Sequence, residues 1–125
     1  MSKKKIKALL VEDDQMIVQM YKIRMEDEGW EVFTTDRGSE AMKLAKAEKP
    51  DIILLDIILP EVDGFSILKD LRSDTTTKKI PVMMLTNLGQ ESDQNKGQEI
   101  GVEGYLIKSQ HTPGDVITKI ESLLK

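Results

Sequence analysis

The sequence predicts an α/β fold of the (βα)₅ type, a three-layer sandwich in which a parallel five-stranded sheet lies between two layers of helices. Two observations support this prediction. Along the 125 residues, short apolar or β-branched runs alternate five times with stretches of helical periodicity. Three of the runs, at residues 8–11, 52–55 and 82–85, are apolar at every position, which is typical of parallel strands covered on both faces. A chain of this length fits a single domain, residues 1–125.

The five apolar runs define the predicted strands. Each is four to six residues long. We predict strands at residues 7–11, 31–35, 51–56, 82–86 and 104–107.

The segments between the strands have helical spacing of apolar residues. We predict helices at residues 15–28, 39–48, 65–72 and 89–100, and a last helix that opens at Thr112-Pro113. The first is expected to bury Ile17, Met20, Tyr21 and Met25, and the seven methionines are interpreted as core fillers. The fourth has no large apolar residue from Gln90 to Glu99 and contains Gly97, so we expect it to be the most mobile.

Composition excludes several classes of function. Eighteen Lys and Arg against 22 Asp and Glu give a net charge of −4, so we expect no direct binding to nucleic acid. The absence of Cys and the single His111 exclude thiolate chemistry and a multi-histidine metal site. No apolar run is long enough for a membrane span or a signal peptide, and we expect a cytoplasmic protein without membrane association.

Acidic residues follow two of the predicted strands. Glu12 and Asp13 come after the first strand and Asp56 ends the third. In the flavodoxin-like strand order 2-1-3-4-5 these two strands are neighbours at the point where the connections reverse direction, which is where such sheets bind ligands. Three carboxylates placed together repel one another unless a cation lies between them, and Mg²⁺ is the natural cation for oxygen ligands.

Residues able to bind phosphate lie at the ends of the fourth and fifth predicted strands. Thr86 and Asn87 come at the end of the fourth strand, and Lys108 comes directly after the fifth. A lysine ammonium, a hydroxyl and backbone N–H groups beside a magnesium site can neutralise and position phosphoryl oxygens. The sequence therefore predicts a phosphoryl-transfer site at this edge of the sheet.

The four strand ends together resemble the receiver domain of bacterial response regulators. The motifs are Val11-Glu12-Asp13-Asp14, the stretch from Asp56 through Pro60 to Gly64, the pair Thr86-Asn87 and the run Gly104-Tyr105-Leu106-Ile107-Lys108. The similarity extends from about Ile6 to Leu124. It implies a two-component phosphorelay protein that takes a phosphoryl group from a sensor histidine kinase or a phosphotransfer protein.

The resemblance also implies a role for each site residue. Asp56 would be the phosphoacceptor, and Asp13, Asp56, the backbone carbonyl of Ile58 and, through water, Glu12 would bind Mg²⁺. Thr86, Asn87 and Lys108 would bind the phosphoryl group, with Asp56, Thr86 and Lys108 catalysing only the protein's own phosphorylation and dephosphorylation. Thr86 and Tyr105 would form the switch that raises affinity for a downstream protein or for a second copy of the chain.

Two positions depart from the family pattern. Ser109 stands where a proline is usual, and Gly97 stands where alanine is common. A cis peptide costs about 2.5–4 kcal/mol before a residue other than proline, so we predict a trans Lys108–Ser109 bond.

Several alternative interpretations stay open. Asp14 is expected to cap the first helix rather than join the site, and Tyr105 has a second interpretation as a core aromatic. Aspartyl phosphatases and topoisomerase-primase domains need an acidic residue two positions after the strand-end aspartate, where this chain has Ile58. Nucleotide-binding glycine loops are also missing. A receiver from a longer transcription factor or hybrid kinase would have the same sequence features.

Overall fold

The computed structural model describes residues 5–60, 62–86, 95 and 98–124. Strands and helices alternate along the chain, and a single turn of 3₁₀ helix, Lys108–Gln110, follows the last strand. The strands are β1 (Lys7–Val11), β2 (Glu31–Thr35), β3 (Ile52–Leu55), β4 (Val82–Thr86) and β5 (Gly104–Ile107). The helices are α1 (Gln15–Asp27), α2 (Gly38–Glu48), α3 (Gly64–Ser73) and, at the C-terminus, α4 (Pro113–Leu123).

The strands form one parallel sheet in the order β2-β1-β3-β4-β5, as predicted. Val11 at the end of β1 pairs with Leu55 at the end of β3. The next residue on each strand is a carboxylate, so the register alone places Glu12 beside Asp56. Thr86 pairs with Ile107, and this brings the following residue, Lys108, to the same edge. The predicted topology and the convergence of the strand ends are confirmed.

Two apolar clusters fill the space on the two faces of the sheet. Along β1, Ala8 and Leu10 point to the cluster that also holds residues of α1 and α4, whereas Leu9 and Val11 point to the cluster with α2 and α3. Strands β1, β3 and β4 are buried apart from Lys7 at the start of β1. The uniformly apolar runs in the sequence arise from this double coverage.

Polar caps fix where the helices begin. The Asp14 carboxylate accepts hydrogen bonds from the backbone N–H groups of Met16 and Ile17, which confirms its predicted capping role. Asp63 caps α3 in the same way. Thr112 and Asp115 form a reciprocal capping box at α4, with Pro113 in its first turn. The caps at Asp14 and Asp63 set the direction in which the chain leaves the carboxyl edge of the sheet.

Helices α2 and α3 each begin one residue earlier than predicted, at a glycine. At Gly38 a Cβ atom would collide with the side chain of Val62, so the first turn of α2 packs directly on the connection between β3 and α3. Close approach of this kind requires glycine, and it places glycine inside a helix where propensity alone disfavours it. Packing thus overrides the local signal at this boundary.

The inner face of α1 differs from the prediction at two positions, Val18 and Met20. Val18, Tyr21 and Met25 are buried, whereas Met20 is 47% exposed and Met16 is 84% exposed. The interpretation of all methionines as core fillers is therefore wrong for Met16 and Met20. Apolar residues occur on both sides of this helix, and only the contact with the sheet decides which side is buried.

The segment between β4 and β5 is described only in part. Asn87, Leu88 and Gly97 lie outside the described residues, and so does most of the predicted helix 89–100, of which residues 95 and 98–100 are described and helical. Within the part of the chain that the structure describes, no helix is long and apolar enough to cross a membrane.

The amino edge of the sheet is held by what we call the Arg72 clamp, formed by Arg72 and Glu103. The Arg72 guanidinium donates hydrogen bonds to the carbonyl oxygens of Gly101, Lys78 and Ile80 and to the Glu103 carboxylate, at 2.6–3.2 Å. That carboxylate also accepts a hydrogen bond from the backbone N–H of Val82, at 2.7 Å. The clamp joins α3 to the starts of β4 and β5.

Candidate functional site

Three carboxylates converge at the carboxyl edge of the sheet. Oxygen atoms of Glu12, Asp13 and Asp56 all lie within 4.8 Å of one another. Glu12 and Asp56 are 2% and 7% exposed, whereas Asp13 is exposed. The sequence prediction that these three residues meet is confirmed.

Backbone hydrogen bonds hold the two buried carboxylates in place. Oε2 of Glu12 accepts hydrogen bonds from the N–H groups of Asp13 and Asp14, at 3.0 and 3.1 Å. Oδ1 of Asp56 accepts from the N–H of Ile57 at 2.7 Å and from that of Ile58 at 3.4 Å. Each carboxylate is oriented by the chain that follows it, so its second oxygen faces the shared space between the strands.

Lys108 occupies that shared space. Its Nζ atom donates a hydrogen bond to Oδ2 of Asp56 at 2.8 Å and another to Oε1 of Glu12. Burial lowers the pKa of Lys108, but the hydrogen bonds and charges of Asp56 and Glu12 outweigh this effect and leave the pKa above its ordinary value. The side chain therefore stays charged and joins strands β1, β3 and β5.

The single ammonium does not balance the charge of the cluster. Burial raises the pKa of Glu12 to about 7, against the opposing effect of its hydrogen bonds to Lys108 and Asp14, and the charge of Asp56 raises it further. Three carboxylates and one lysine have an excess of negative charge when all are ionised. The cluster thus favours a further cation.

The three carboxylates fit Mg²⁺. This ion binds oxygen ligands, commonly one or two protein carboxylates together with water and phosphate oxygens. Asp13 and Asp56 would supply carboxylate oxygens and Glu12 would act through water, as the resemblance implies. The predicted contribution of the Ile58 backbone carbonyl stays a prediction.

A polar cavity of about 240 Å³ opens over the carboxylates. Thr86 lies buried at its wall, and the side chain of Ile58, 60% exposed, lies at its rim. Ile17 also lines the cavity, a role that the sequence analysis missed because the residue was assigned to the inner face of α1. Its position three residues after the Asp14 cap, one turn into the helix, is the signal that could have identified it.

The loop after Asp56 depends on Gly64. A Cβ atom at this position would collide with the carbonyl oxygen of Asp56, and the Gly64 N–H donates a hydrogen bond to the carbonyl of Ile57 at 2.7 Å. The start of α3 thus packs against the phosphoacceptor candidate itself. This contact explains why the sequence has a glycine at the end of the stretch that begins at Asp56.

The other positions that the sequence analysis singled out are Tyr105, Asn87 and the Lys108–Ser109 peptide. Tyr105 is half-buried in β5, pairs in register with Met84 and packs against the cluster on the α2 and α3 face. Asn87 lies outside the described residues. The Lys108–Ser109 peptide is trans, as predicted, so the chain places Lys108 without the usual proline.

The chain matches a known family over nearly its whole length. Residues 8–121 match the model of the response regulator receiver domain.

Curated relatives point to the same family. The chain is 36% identical over 119 residues to the alkaline phosphatase synthesis transcriptional regulatory protein PhoP of Bacillus subtilis, a match that covers 95% of this chain and 48% of the relative. It is 38% identical over 120 residues to the DNA-binding dual master transcriptional regulator RpaA of Synechocystis, covering 94% of this chain and 48% of the relative. The chain thus spans about half the length of these relatives.

A solved structure agrees with these matches. The chemotaxis protein CheY4 of Vibrio cholerae superposes with a TM-score of 0.90 at 30% identity, covering 97% of this chain and all of that protein.

Proposed function

The chain belongs to the response regulator receiver family, and on that premise we propose that it takes a phosphoryl group from a histidine kinase or a phosphotransfer protein onto Asp56. Receiver domains of two-component systems accept phosphoryl groups from such proteins. The observation that best supports the proposal is Lys108, whose Nζ atom joins Asp56 to Glu12 at the floor of the cavity.

The transfer step uses Asp56 as the nucleophile. A carboxylate oxygen attacks the phosphorus of a phosphohistidine, an O–P bond forms, and the P–N bond breaks with its electron pair returning to the imidazole nitrogen. The Nζ atom of Lys108 lies 2.8 Å from Asp56 Oδ2. From this position its positive charge can pair with the oxygens of the transferred phosphoryl group. Positioning and charge neutralisation supply most of the catalysis in such transfers.

Mg²⁺ is the cofactor that we propose for this step. Bound at Asp13, Asp56, Glu12 through water and the Ile58 carbonyl, it would neutralise charge on the carboxylates and phosphoryl oxygens. Only the protein's own phosphorylation and dephosphorylation are catalysed in this proposal, so the chain is a switch rather than an enzyme that turns over a separate substrate.

The proposed output starts at Thr86. Its hydroxyl would bind the phosphoryl group together with Asn87, and Tyr105 on the neighbouring strand β5 would change position in response. Thr86 is buried at the wall of the cavity, and Tyr105 is two residues before the partner of Thr86 in the sheet. The altered surface would increase affinity for a downstream protein or for a second copy of the chain.

A protein donor must reach a carboxylate that is almost fully buried. Its histidine can approach Asp56 only through the cavity mouth, so the donor must cover the exposed side chains around that mouth. Ile58 lies at that mouth, and the exposed apolar residues Met16, Met20 and Ile23 extend at helical spacing along α1, the helix whose Ile17 lines the cavity. We call these four residues the docking face and assign it to the phosphodonor, because exposed apolar patches of this kind mark interaction sites.

A second candidate function concerns the context of the chain. The curated relatives named above are transcriptional regulators about twice as long as the match, which favours a receiver that controls a DNA-binding domain. The acidic balance of this chain argues against direct DNA contact by the receiver itself. Reading the gene to its stop codon distinguishes a receiver on its own from a receiver joined to a DNA-binding domain.

Incubation with acetyl phosphate and Mg²⁺, followed by intact mass measurement, tests the proposal. We expect one phosphoryl group on the native chain and none on Asp56→Asn. Asp36→Asn is the matched control, since Asp36 follows β2 at the same edge of the sheet but lies outside the carboxylate cluster. Phosphorylation of Asp56→Asn at the native rate would refute the assignment of Asp56.

A further inference from the structure

The described methionines of the chain differ in burial, and Met42 is half-buried against the cluster with α2 and α3. Met25, Met83 and Met84 are fully buried. Met16 and Met20 are 84% and 47% exposed, one turn apart on the docking face. Large apolar side chains with this exposure are uncommon among the described residues, where only Ile23 and Ile58 are also exposed, and both belong to the same face.

Exposure makes the two thioethers accessible to oxidants. The sulfur of methionine attacks an oxygen of hydrogen peroxide, the O–O bond breaks, an S–O bond forms, and water leaves after proton transfer. Sulfur is oxidised and peroxide is reduced. The product, methionine sulfoxide, is polar and chiral, and reductases convert it back to methionine.

We propose that Met16 and Met20 form an oxidation site for peroxides, and that their oxidation weakens docking of the phosphodonor without altering the chemistry at Asp56. The inference rests on the proposed function, because it assigns the docking face to the donor. Two sulfoxides would place strong hydrogen-bond acceptors among the four apolar side chains of the docking face, and an acceptor that is buried at an interface without a donor is costly.

The geometry separates docking from chemistry. Met16 lies in the first turn of α1, next to Ile17, which lines the cavity, but the carboxylates are oriented by the backbone of residues 13, 14, 57 and 58 and by Lys108. Neither exposed methionine lines the cavity. A small phosphodonor that enters the cavity directly is therefore expected to react equally well before and after oxidation.

Limited treatment with hydrogen peroxide followed by peptide mass analysis tests the site. We expect oxygen to be added at Met16 and Met20 before Met25, Met83 or Met84 reacts. Prior oxidation of the buried residues would overturn the proposal.

The functional test compares two phosphodonors on the intact chain. One is acetyl phosphate, and the other is the phosphorylated core of the histidine kinase that transfers fastest to the unoxidised chain in a purified panel. Oxidation should slow transfer from the kinase roughly fivefold to tenfold, the loss expected when one or two apolar contacts at an interface fail. The rate with acetyl phosphate should not change, and methionine sulfoxide reductase should restore the rate with the kinase.

Variants separate the possible failures. Met16→Leu/Met20→Leu should keep its kinase rate after peroxide, and Ile23→Asp should slow kinase transfer without any oxidation. If the double leucine variant loses its rate as the native chain does, or if the oxidised native chain keeps its rate, the inference is wrong. If acetyl phosphate does not phosphorylate Asp56 in the untreated chain, the proposed function fails instead.

Discussion

The two edges of the sheet each contain a cationic side chain bonded to carboxylate oxygens, but the two clusters differ in their balance. Around Arg72 every guanidinium nitrogen donates a hydrogen bond, and one carboxylate faces one guanidinium. Around Lys108 one ammonium faces two buried carboxylates, and an oxygen of Asp13 lies within 4.8 Å of oxygens of both carboxylates.

This difference separates a structural cluster from a reactive one. A charge-balanced group such as the Arg72 clamp, in which every guanidinium nitrogen already donates a hydrogen bond, gains little from another ligand. The Lys108 cluster keeps an excess of negative charge and an open cavity, which leaves room and charge for a cation and a phosphoryl group. Mutations at the two edges should therefore change stability in opposite directions.

The largest effect on stability is expected at the Arg72 clamp. Arg72→Ala leaves three carbonyl oxygens without the guanidinium donor and removes the cation paired with Glu103, which should destabilise the fold by about 2–3 kcal/mol. Urea unfolding measures this change. Lys69→Ala, at an exposed site on the same helix, is the control and should stay within about 0.5 kcal/mol of the native chain. Equal stabilities of Arg72→Ala and Lys69→Ala would show that the clamp is dispensable.

The next effect has the opposite sign. Asp13→Ala removes one of three neighbouring negative charges, so in EDTA the variant should be more stable than the native chain by about 1 kcal/mol. With Mg²⁺ at about 100 times its dissociation constant the native chain should gain about 2.7 kcal/mol and the order should reverse, since only the native chain keeps the full ligand set. Melting curves of the variant and the native chain in EDTA and in Mg²⁺ measure the stability difference and its reversal. A less stable Asp13→Ala in EDTA would contradict a repulsive cluster.

The sequence predicted the carboxyl edge of the sheet, with the Lys108 cluster, better than the amino edge, with the Arg72 clamp. Parallel strands carry their terminal residues to one edge, so Glu12, Asp56 and Lys108 could be placed together from strand ends alone. The Arg72 clamp joins a helix end to two loops that are distant in sequence, and no periodicity marks such contacts. The exposed face of α1 could not be predicted either, because apolar residues lie on both of its sides and only packing distinguishes them.

The free energy of unfolding is expected to depend gradually on pH because of Glu12 at the carboxyl edge of the sheet. The folded-state pKa of Glu12 is raised from 4.5 to about 7, so the protonated carboxyl favours folding. Its stabilising contribution is complete below pH 4.5 and is lost as the pH rises through about 7. In EDTA, the free energy of unfolding of the native chain should therefore fall over this range relative to Glu12→Gln. Glu26→Gln, at an exposed site on α1, is the control, and a constant difference between the native chain and Glu12→Gln would exclude the shift.

The smallest effect on stability is expected at the cavity rim, where Ile58 is exposed and apolar. Its side chain cannot orient the water that hydrolyses an acyl phosphate, so we expect a long-lived phosphoryl group on the native chain. Ile58→Asn should shorten that lifetime a few-fold while stability changes by less than about 0.5 kcal/mol. The decay of the phosphorylated mass with time gives the lifetime, and Ile23→Asn is the matched control away from the cavity. Slower decay in Ile58→Asn than in the native chain would reverse this interpretation.

The position of the single tryptophan makes the two layers of the core optically unequal. Trp30 is buried in the cluster that α1 and α4 form against the sheet, and the cluster beneath α2 and α3 contains no indole, since the chain has no other tryptophan. Its emission therefore reports solvent entry into one layer, whereas far-ultraviolet circular dichroism reports the backbone of both. Coincident transitions by the two signals would mean that the layers melt as one cooperative unit.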